Sequence, residues 1–251
     1  MISRSSILDS SFFLKADFWL SEQVGYPVWI VAKAPGCGEP CAKLWTREPV
    51  FAYAKLEAGD IVASSQLADA GFRVVDTELT FDRSITGIEL SPQDLGIRFS
   101  RPEDREALMR IAGSSFRFSR FHLDPLFPNL LADSIKSVWA GNYFEGKRGD
   151  GMVIAERDGA IVGFLQLLWT DIDCLVVDLI GLDYAWQGQG IGRSMLLFAA
   201  LQGIGDGRSP TKIKVGTQAA NIYSVRLYES LGFRLASAKL IMHFHGDTKT
   251  Q

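Results

Sequence analysis

The chain has 251 residues, of which 47% are hydrophobic and 22% are charged, and its formal net charge at pH 7 is −3. This length allows one large domain or two small ones with a packed core. The slightly acidic balance argues against a general electrostatic attraction to nucleic acid. No apolar run reaches the roughly 18 residues of a membrane helix, and the first residues lack the apolar core of a signal peptide. We therefore expect a cytoplasmic protein that binds neither nucleic acid nor membrane.

The three cysteines fit a reducing compartment. Cys37 and Cys41 are separated by three residues instead of the two of a redox or zinc pair, and no histidine lies near them. We interpret their segment as a loop rich in glycine and proline, and expect no metal site. Cys174 opens an apolar stretch and is expected to be a small buried residue.

The first segment of the chain predicts strands and one helix. Buried strands or packing anchors are expected at three apolar stretches, residues 12–13, 18–19 and 28–32. Residues 61–70 predict a helix that ends at Gly71, because glycine is the usual residue just after a helix. Residues 72–81 predict a strand. The proline and glycine residues within 92–96 indicate the boundary to a second segment.

The second segment alternates predicted strands and helices. Pro102 suits the first turn of a helix, and the acidic residues after it suit the positive end of the helix dipole. Residues 152–155 and 161–168 flank Arg157-Asp158-Gly159, which is a strong hairpin signal. Further strands are predicted at residues 97–99, 174–182, 213–215 and 233–245, and further helices at 192–202 and 221–231. We therefore expect an α/β fold with a mixed sheet.

A glycine-rich stretch between strand 174–182 and the next helix carries the most specific signal. It consists of Gln187, Gly188, Gln189, Gly190, Ile191, Gly192 and Arg193. Glycine allows a tight turn and a close approach to a ligand, and the amides at a helix start are unpaired at the positive end of the dipole. The stretch therefore predicts an anion site, usually for phosphate. Its spacing and its late position fit neither a Walker loop nor a Rossmann fingerprint.

Two motifs resemble the GNAT superfamily of acyl-CoA-dependent N-acyltransferases. Gln187 to Gly192 matches its Gln/Arg-x-x-Gly-x-Gly/Ala signature. Asn221 to Phe233 matches its second motif, an Asn followed by a helix that ends in Tyr-x-x-x-Gly-Phe. The resemblance covers about residues 96–245. It implies a GNAT fold, direct acetyl transfer to a primary amine, and acetyl-CoA as co-substrate.

The resemblance also implies roles for individual residues. The glycine-rich stretch would hold the pyrophosphate, and Leu182 with nearby amides would bind the pantetheine and polarise the thioester carbonyl. Asn221 would contact the cofactor. Tyr228, two helical turns later and on the same face, would give a proton to the departing thiolate. The alternatives are a purely structural strand at Leu182, a core tyrosine at Tyr228 and solvent exposure of Arg193.

Asp178 is the candidate base. Strand alternation predicts that its side chain shares a face with Ile180 and Leu182. A carboxylate among so many apolar residues could deprotonate the acceptor amine, directly or through water. The alternative is a salt-bridge partner.

Residues 115–125 follow the first helix of the second segment, where the superfamily places its acceptor loop. Arg120, His122 and Asp124 lie there beside three phenylalanines, which suits a polar, ring-shaped or phosphorylated acceptor. A capped turn with a structural histidine is the alternative. The loop and the Trp139 region resemble the nucleotide-sugar 4-amino acetyltransferases. This implies a dTDP-linked deoxy-amino sugar as acceptor.

Residues 67–73 resemble residues 229–234, with a predicted helix before each and a strand after. We interpret residues 1–92 as a degenerate GNAT-like half-domain ahead of a catalytic GNAT domain at 93–251, although chance similarity would explain the same pattern. The first segment could mediate a homodimer or pack within the chain. Two other functions stay open: acetylation of a protein N-terminus, polyamine or antibiotic, and a non-catalytic acyl-CoA sensor.

Overall fold

A computed structural model describes residues 11–33, 41–44, 48–85 and 96–246. They form a ten-stranded mixed sheet with helices on both faces, which confirms the predicted α/β class. The strands are β1 (Phe12–Ala16), β2 (Val28–Lys33), β3 (Val50–Glu57), β4 (Arg73–Ser84), β5 (Ile97–Phe99), β6 (Gly151–Arg157), β7 (Ala160–Trp169), β8 (Cys174–Leu182), β9 (Lys212–Gln218) and β10 (Arg234–Gly246). The helices are α1 (Phe18–Val24), α2 (Ile61–Asp69), α3 (Arg105–Ser115), α4 (Asn129–Gly141), α5 (Ile191–Gln202) and α6 (Ile222–Ser230). Within these ranges, no helix has the length and apolar character needed to cross a membrane.

The two halves of the chain interleave at the centre of the sheet. The strand order is β1-β2-β3-β10-β4-β9-β8-β7-β6-β5, so the last strand lies between two strands of the first segment. Each half contains one parallel pair, β2 with β3 and β8 with β9. Each pair is followed by a helix and a central strand, which supports the half-domain interpretation. That interpretation stays a prediction, and the predicted boundary near residue 92 lies outside the described residues.

Opposite faces of the sheet carry different helices. Helices α2, α5 and α6 cover one face, where Leu67 of α2 packs with residues of β3 and β10, and Tyr228 of α6 packs with Phe81 of β4. Helices α1, α3 and α4 cover the other, where Ile135 of α4 packs near Phe51 of β3. We call this second face the α4 face. The first segment thus packs within the chain, and a homodimer stays a prediction.

The structure confirms the predicted hairpin turn and the predicted helix end, both of which depend on glycine. Asp158 and Gly159 join β6 to β7 with φ values of 51° and 75°, as a type I′ hairpin turn requires. Gly71 follows α2 with φ of 100°. Cys174 is buried as expected, whereas Cys37 lies outside the described residues.

Helix α1 replaces the strand that residues 18–19 could have formed, and one of the two residues is a packing anchor. The Asp17 carboxylate caps the helix by accepting a hydrogen bond of 3.0 Å from the Leu20 amide. Phe18 is 78% exposed and anchors nothing, whereas Trp19 packs edge-on against Trp139 with 5.4 Å between ring centroids, as expected of an anchor. Strand β3 and helix α4 were not predicted either. The cap at Asp17 was the signal that could have identified α1.

The parallel pair of β8 and β9 opens partway along its length. Pairing runs from Cys174 opposite Lys212 to Val177 opposite Val215 and ends there. Strand β8 continues to Leu182 beside β7, and β9 continues beside β4. A gap therefore opens between the two strands, and we call it the strand gap.

Asp178 stands where the strand gap opens, as the extra residue of a β-bulge. The pairing of β8 with β7 shifts register at this residue, and a bulge interrupts the alternation of side chains. Asp178 therefore contacts Trp139 of α4, while Ile180 and Leu182 pack in the core that contains α5 residues. The prediction that the side chains of Asp178, Ile180 and Leu182 share one face is therefore wrong, because the bulge interrupts the alternation.

Candidate active site

The glycine-rich stretch forms a turn and the start of α5, as predicted. The backbone amides of residues 188–193 donate no hydrogen bond to another described residue, and α5 has no side-chain cap. Unpaired amides at the positive end of a helix attract anions. The row of free donors fits the pyrophosphate of acetyl-CoA, which would be held there by the backbone.

Two glycines give this turn its shape. Gly188 and Gly190 have φ values of 76° and 80°, in the left-handed region that favours glycine. A Cβ atom added at either position would meet no other atom within 4 Å. The turn therefore presents its backbone to open space, where a ligand can approach it closely.

The strand gap lies against the same helix start. A Cβ atom added to Gly192 would lie 3.4 Å from the Leu227 side chain and 3.6 Å from the Leu182 side chain. Nε2 of Gln187 donates a hydrogen bond of 3.2 Å to the Leu182 carbonyl oxygen. The structure thus brings together Leu182, the glycine-rich stretch and α6, as the resemblance implied.

Tyr228 is buried next to this junction, with 1% of its surface exposed. Its ring centroid lies 5.8 Å from that of Phe81 and 5.9 Å from that of Phe233. Burial raises the pKa of the phenol above its usual value, and a hydrogen bond with Ser224 lowers it only in part. The phenol is therefore protonated at neutral pH, as a general acid must be. Its packing also matches the core-tyrosine alternative, and the acid role stays a prediction.

Asn221 caps α6 from outside the helix. Its Oδ1 atom accepts a hydrogen bond of 3.2 Å from the Ser224 amide. The capping bond uses one of the two lone pairs of the side-chain oxygen, so the amide nitrogen, the backbone and the second lone pair could still contact the cofactor. Arg193 is exposed, in agreement with the alternative stated for it.

The structure shows Asp178 as a salt-bridge partner. Arg148 donates to both of its oxygens, from Nε at 2.7 Å and from Nη2 at 2.5 Å. Trp139 Nε1 donates a further bond of 3.0 Å. Both oxygens of Asp178 are thus bonded to side chains. The geometry favours the salt-bridge alternative, and the base role stays a prediction.

Arg120 lies on the α4 face with its guanidinium stacked on aromatic rings. The guanidinium carbon lies 3.7 Å from the ring centroid of Tyr53 and 4.5 Å from that of Phe121. Its Nη1 atom is buried and finds no hydrogen-bond partner in the described part of the chain. A buried donor without an acceptor costs free energy, and a polar or anionic acceptor group would satisfy it. Arg120 therefore remains a candidate substrate contact.

His122 is held by bonds to both ring nitrogens. Nδ1 lies 2.6 Å from Ser119 Oγ, and Nε2 lies 3.0 Å from Asp133 Oδ1. Only 4% of its side chain is exposed. With both nitrogens satisfied, the geometry supports the structural-histidine alternative, and we correct the substrate-binding assignment accordingly.

Asp124 links the acceptor loop to the last strand. Its Oδ2 atom accepts hydrogen bonds of 2.7 Å from His243 Nδ1 and from His245 Nε2. Burial raises the pKa of Asp124, but these bonds and one from the Leu126 amide outweigh burial and hold the pKa below its usual value. Asp124 is 3% exposed, so we correct its assignment from substrate contact to structural anchor.

This cluster also borders a cavity of about 710 Å³. Two imidazoles and one carboxylate are a donor set that several metals accept, and the donor atoms lie within 4.8 Å of one another. Here the side chains of Asp124, His243 and His245 are bonded to each other instead. The expectation of no metal stays a prediction.

Charged residues from both halves surround the α4 face, and the sequence analysis did not identify them. Lys55 Nζ lies 2.7 Å from Glu78 Oε2. Lys136 Nζ lies 4.9 Å from the Trp139 ring centroid. Burial lowers the pKa of Lys136 most, and the positive charge of Arg120 lowers it further, to about 8. For Glu78 the sequence signal was weak. Polar residues (Asp, Glu, Thr and Asp) alternate along positions 76 to 82, and such a pattern is usually typical of a strand that faces solvent.

A helix start with amides that are unpaired among the described residues, beside an opened parallel strand pair, is the arrangement that the resemblance to acyl-CoA-dependent N-acyltransferases implied. Residues 114–233 match the model of the Acetyltransferase (GNAT) family. The chain therefore contains a GNAT acetyltransferase domain, and the expected family and enzyme class are confirmed.

Two curated relatives match most of the chain. The spore coat polysaccharide biosynthesis protein SpsD of Bacillus subtilis (strain 168) is 26% identical over 204 residues, which cover 78% of this chain and 67% of that protein. The mycothiol acetyltransferase of Thermomonospora curvata is 29% identical over 184 residues, which cover 70% of this chain and 58% of that protein. The match thus spans about three-fifths of the length of the second relative.

Solved structures share the fold at low sequence identity. The GCN5-related N-acetyltransferase from Sphaerobacter thermophilus has a TM-score of 0.59 at 14% identity, covering 94% of this chain and 76% of that chain. A tandem GNAT protein from the clavulanic acid biosynthesis pathway has a TM-score of 0.58 at 10% identity, covering 90% and 77%. These similarities concern the fold alone.

Proposed function

We propose that the protein transfers an acetyl group from acetyl-CoA to a primary amine, and that this amine belongs to a nucleotide-linked amino sugar. The observation that carries the transfer is the row of free amides at residues 188–193 beside the strand gap. Acetyl-CoA supplies the activated acetyl group when bound. The amides hold its pyrophosphate, and the backbone of β8 beyond Asp178 borders the space for the thioester.

Tyr228 then protonates the departing thiolate. The phenol is buried at the junction of β4 and α6 and keeps its proton at neutral pH. A phenol with a pKa near or above 10 can transfer a proton to a thiolate and regain it afterwards. No covalent enzyme intermediate is required, because the two described cysteines, Cys41 and Cys174, are both buried.

Two observations favour a sugar nucleotide as acceptor. Nη1 of Arg120 lies on the α4 face and has no hydrogen-bond partner among the described residues, and Lys136 adds a second cation on that face. Arginine suits bidentate contacts with phosphate. In addition, one relative is named for polysaccharide biosynthesis.

The decisive experiment measures CoA release with a panel of amines. We expect release with dTDP-4-amino sugars at least ~10-fold faster, in kcat/KM, than with spermidine or peptides. Faster release with spermidine or a peptide would contradict the sugar assignment but leave the transferase. Binding of acetyl-CoA without turnover of any amine would favour the sensor alternative.

Replacing Tyr228→Phe tests the acid role. We expect kcat to fall about 100-fold, the usual contribution of a general acid. The affinity for acetyl-CoA, measured by calorimetry, should stay within about twofold. Unchanged kcat would show that the phenol serves packing only.

A further inference from the structure

One carboxylate of the first segment is buried on the α4 face with an unsatisfied oxygen. Asp76 of β4 is 7% exposed. Its Oδ2 atom has no hydrogen-bond partner among the residues that the structure describes. A buried polar atom in this state costs free energy. An acceptor amine is a donor that would satisfy it.

The register of the sheet places Asp76 near the open end of the strand gap. Strands β4 and β9 are antiparallel, with Thr80 opposite Gly216 and Glu78 opposite Gln218. Asp76 is therefore two residues further along, in the direction in which the gap widens. The side chain of Gln218, the last residue of β9, forms a hydrogen bond with Asp76.

The surroundings of Asp76 come from four strands. Across β10 and β3, Ile241 and Lys55 lie in register with it, so all three side chains share the α4 face. Glu78 follows on its own strand and bonds to Lys55. Gln218 completes the set from β9. The charged groups that face Asp76 are thus Glu78 and Lys55.

We propose that Asp76, supplied by the first segment, receives the acceptor amine and takes the proton that the amine must lose before it attacks. The inference rests on the proposed function and deepens it. Asp76 would then be the base in place of Asp178, whose oxygens are already bonded to Arg148 and Trp139. Oδ2 of Asp76, by contrast, has no partner in the described part of the chain.

The acceptor ammonium gives one proton to the Asp76 carboxylate, and the amine lone pair forms a bond to the acetyl carbonyl carbon. The carbon–sulfur bond breaks, and the thiolate takes a proton from Tyr228. The new amide nitrogen loses its extra proton, which restores the phenol, and Asp76 releases its proton to solvent.

The protonation behaviour of Asp76 suits this task. Burial raises its pKa most, and Glu78 raises it further, while the Thr77 amide, Lys55 and Gln218 lower it, so that the pKa is about 6. A base works best when its pKa lies near the working pH. Asp76 must be deprotonated to accept a proton, so activity should rise as the pH increases through about 6.

The test compares Asp76→Asn with Asp82→Asn in the full chain. Asp82 lies on the same strand and bonds to Lys212 at 2.7 Å, so it is a matched control. The amine that the wild type acetylates fastest is used, and kcat/KM is measured from pH 5 to 9. We expect an acid limb near pH 6 in the wild type and in Asp82→Asn. Asp76→Asn should lose that limb and at least ~100-fold of kcat/KM at pH 7.5.

An Asp76→Asn variant that keeps both rate and acid limb would overturn the proposal while leaving the transferase in place. Acetyl-CoA binding by calorimetry checks that the variant is folded. If it is not folded, Asp76→Glu decides: a retained but shifted acid limb supports the proposal, and an unshifted or absent limb refutes it. A wild type that acetylates no amine would instead refute the proposed function.

Discussion

The glycine-rich stretch and the acceptor loop differ in how their polar groups are satisfied. Between residues 188 and 193 the amides have no partner among the described residues. In the acceptor loop, His122 and Asp124 have their polar atoms bonded to other side chains. Arg120 of the same loop again leaves a nitrogen free. Both segments carry polar residues near the site, yet only some of those groups are available to a ligand.

In this comparison the saturated groups hold the fold, whereas the unsatisfied atoms of Arg120 and Asp76 are the candidates for ligand binding. A buried polar group without a hydrogen bond costs free energy, and a ligand or a water molecule can supply the missing bond. A group that is already bonded to other side chains gains nothing further from a ligand. The distinction separates Arg120 from His122, although two residues separate them in the chain. It also separates Asp76 from Asp178. The comparison can be tested by changing one group of each kind.

Asp124→Ala should have the largest effect on stability. It leaves His243 and His245 without their buried acceptor, and we expect a loss of about 3 kcal/mol in the free energy of unfolding. Urea denaturation at pH 7.5 measures this. Asp206→Ala, whose carboxylate pairs with Arg208 near the surface, is the control and should change stability by less than about 0.5 kcal/mol.

The same cluster predicts a pH dependence. Burial lowers the pKa of His243 to about 4, although Asp124 opposes the change. Unfolded histidine takes a proton near pH 6.5, so the unfolded state gains protons first as the pH falls. Protonation of His243 should therefore cost stability between pH 6.5 and 4, whereas Asp76, whose pKa burial raises to about 6, acts in the opposite direction over the same window. The difference in stability between the wild type and His243→Gln isolates the first effect, and a difference that stays constant across this window would contradict the assignment of His243 as a buried neutral ring.

Gly190→Val tests the free amides. A β-branched residue at φ of 80° is strained, and its side chain would cover the anion site. We expect the KM for acetyl-CoA to rise about 10-fold, which corresponds to about 1.4 kcal/mol. Gly207→Val is a matched control, since Gly207 has φ of 83° and equally open space. Equal KM changes in the two variants would argue against the site.

The smallest effect is expected within the acceptor loop. His122→Gln should cost about 1 kcal/mol of stability and leave the KM for the amine unchanged, because the ring only makes internal bonds. Arg120→Gln should raise that KM about 10-fold if the guanidinium contacts the substrate as proposed. Steady-state kinetics on both variants decide. The reverse pattern would invalidate the rule that saturated groups do not bind.

Local motifs in the sequence were enough to predict the glycine-rich turn at the start of α5 and the helix α6. The residues from Gln187 to Gly192 and from Asn221 to Phe233 each lie within one turn or helix, so their arrangement follows from spacing alone. Asp178 could not be placed in the same way. A single bulge reverses the side of the sheet that its side chain faces, and no residue type marks the bulge.

The acceptor half depends on contacts between distant segments. Asp76 reaches the α4 face only because β10 and β9 pair with β4 in one particular register. The bond between Asp124 and His243 spans 119 positions of the chain. Such pairings depend on the packed sheet as a whole, and strand patterns within one segment do not encode them.

The position of β10 has a consequence for synthesis on the ribosome. Of the described strands it is synthesised last, yet it lies between β3 and β4, which emerge early. Until then both early strands expose edges that can pair with other chains. A nascent chain therefore cannot complete its first segment before β10 has been synthesised. Strand pairing over such long separations is slow, and protection of these edges by chaperones would raise the yield of folded protein.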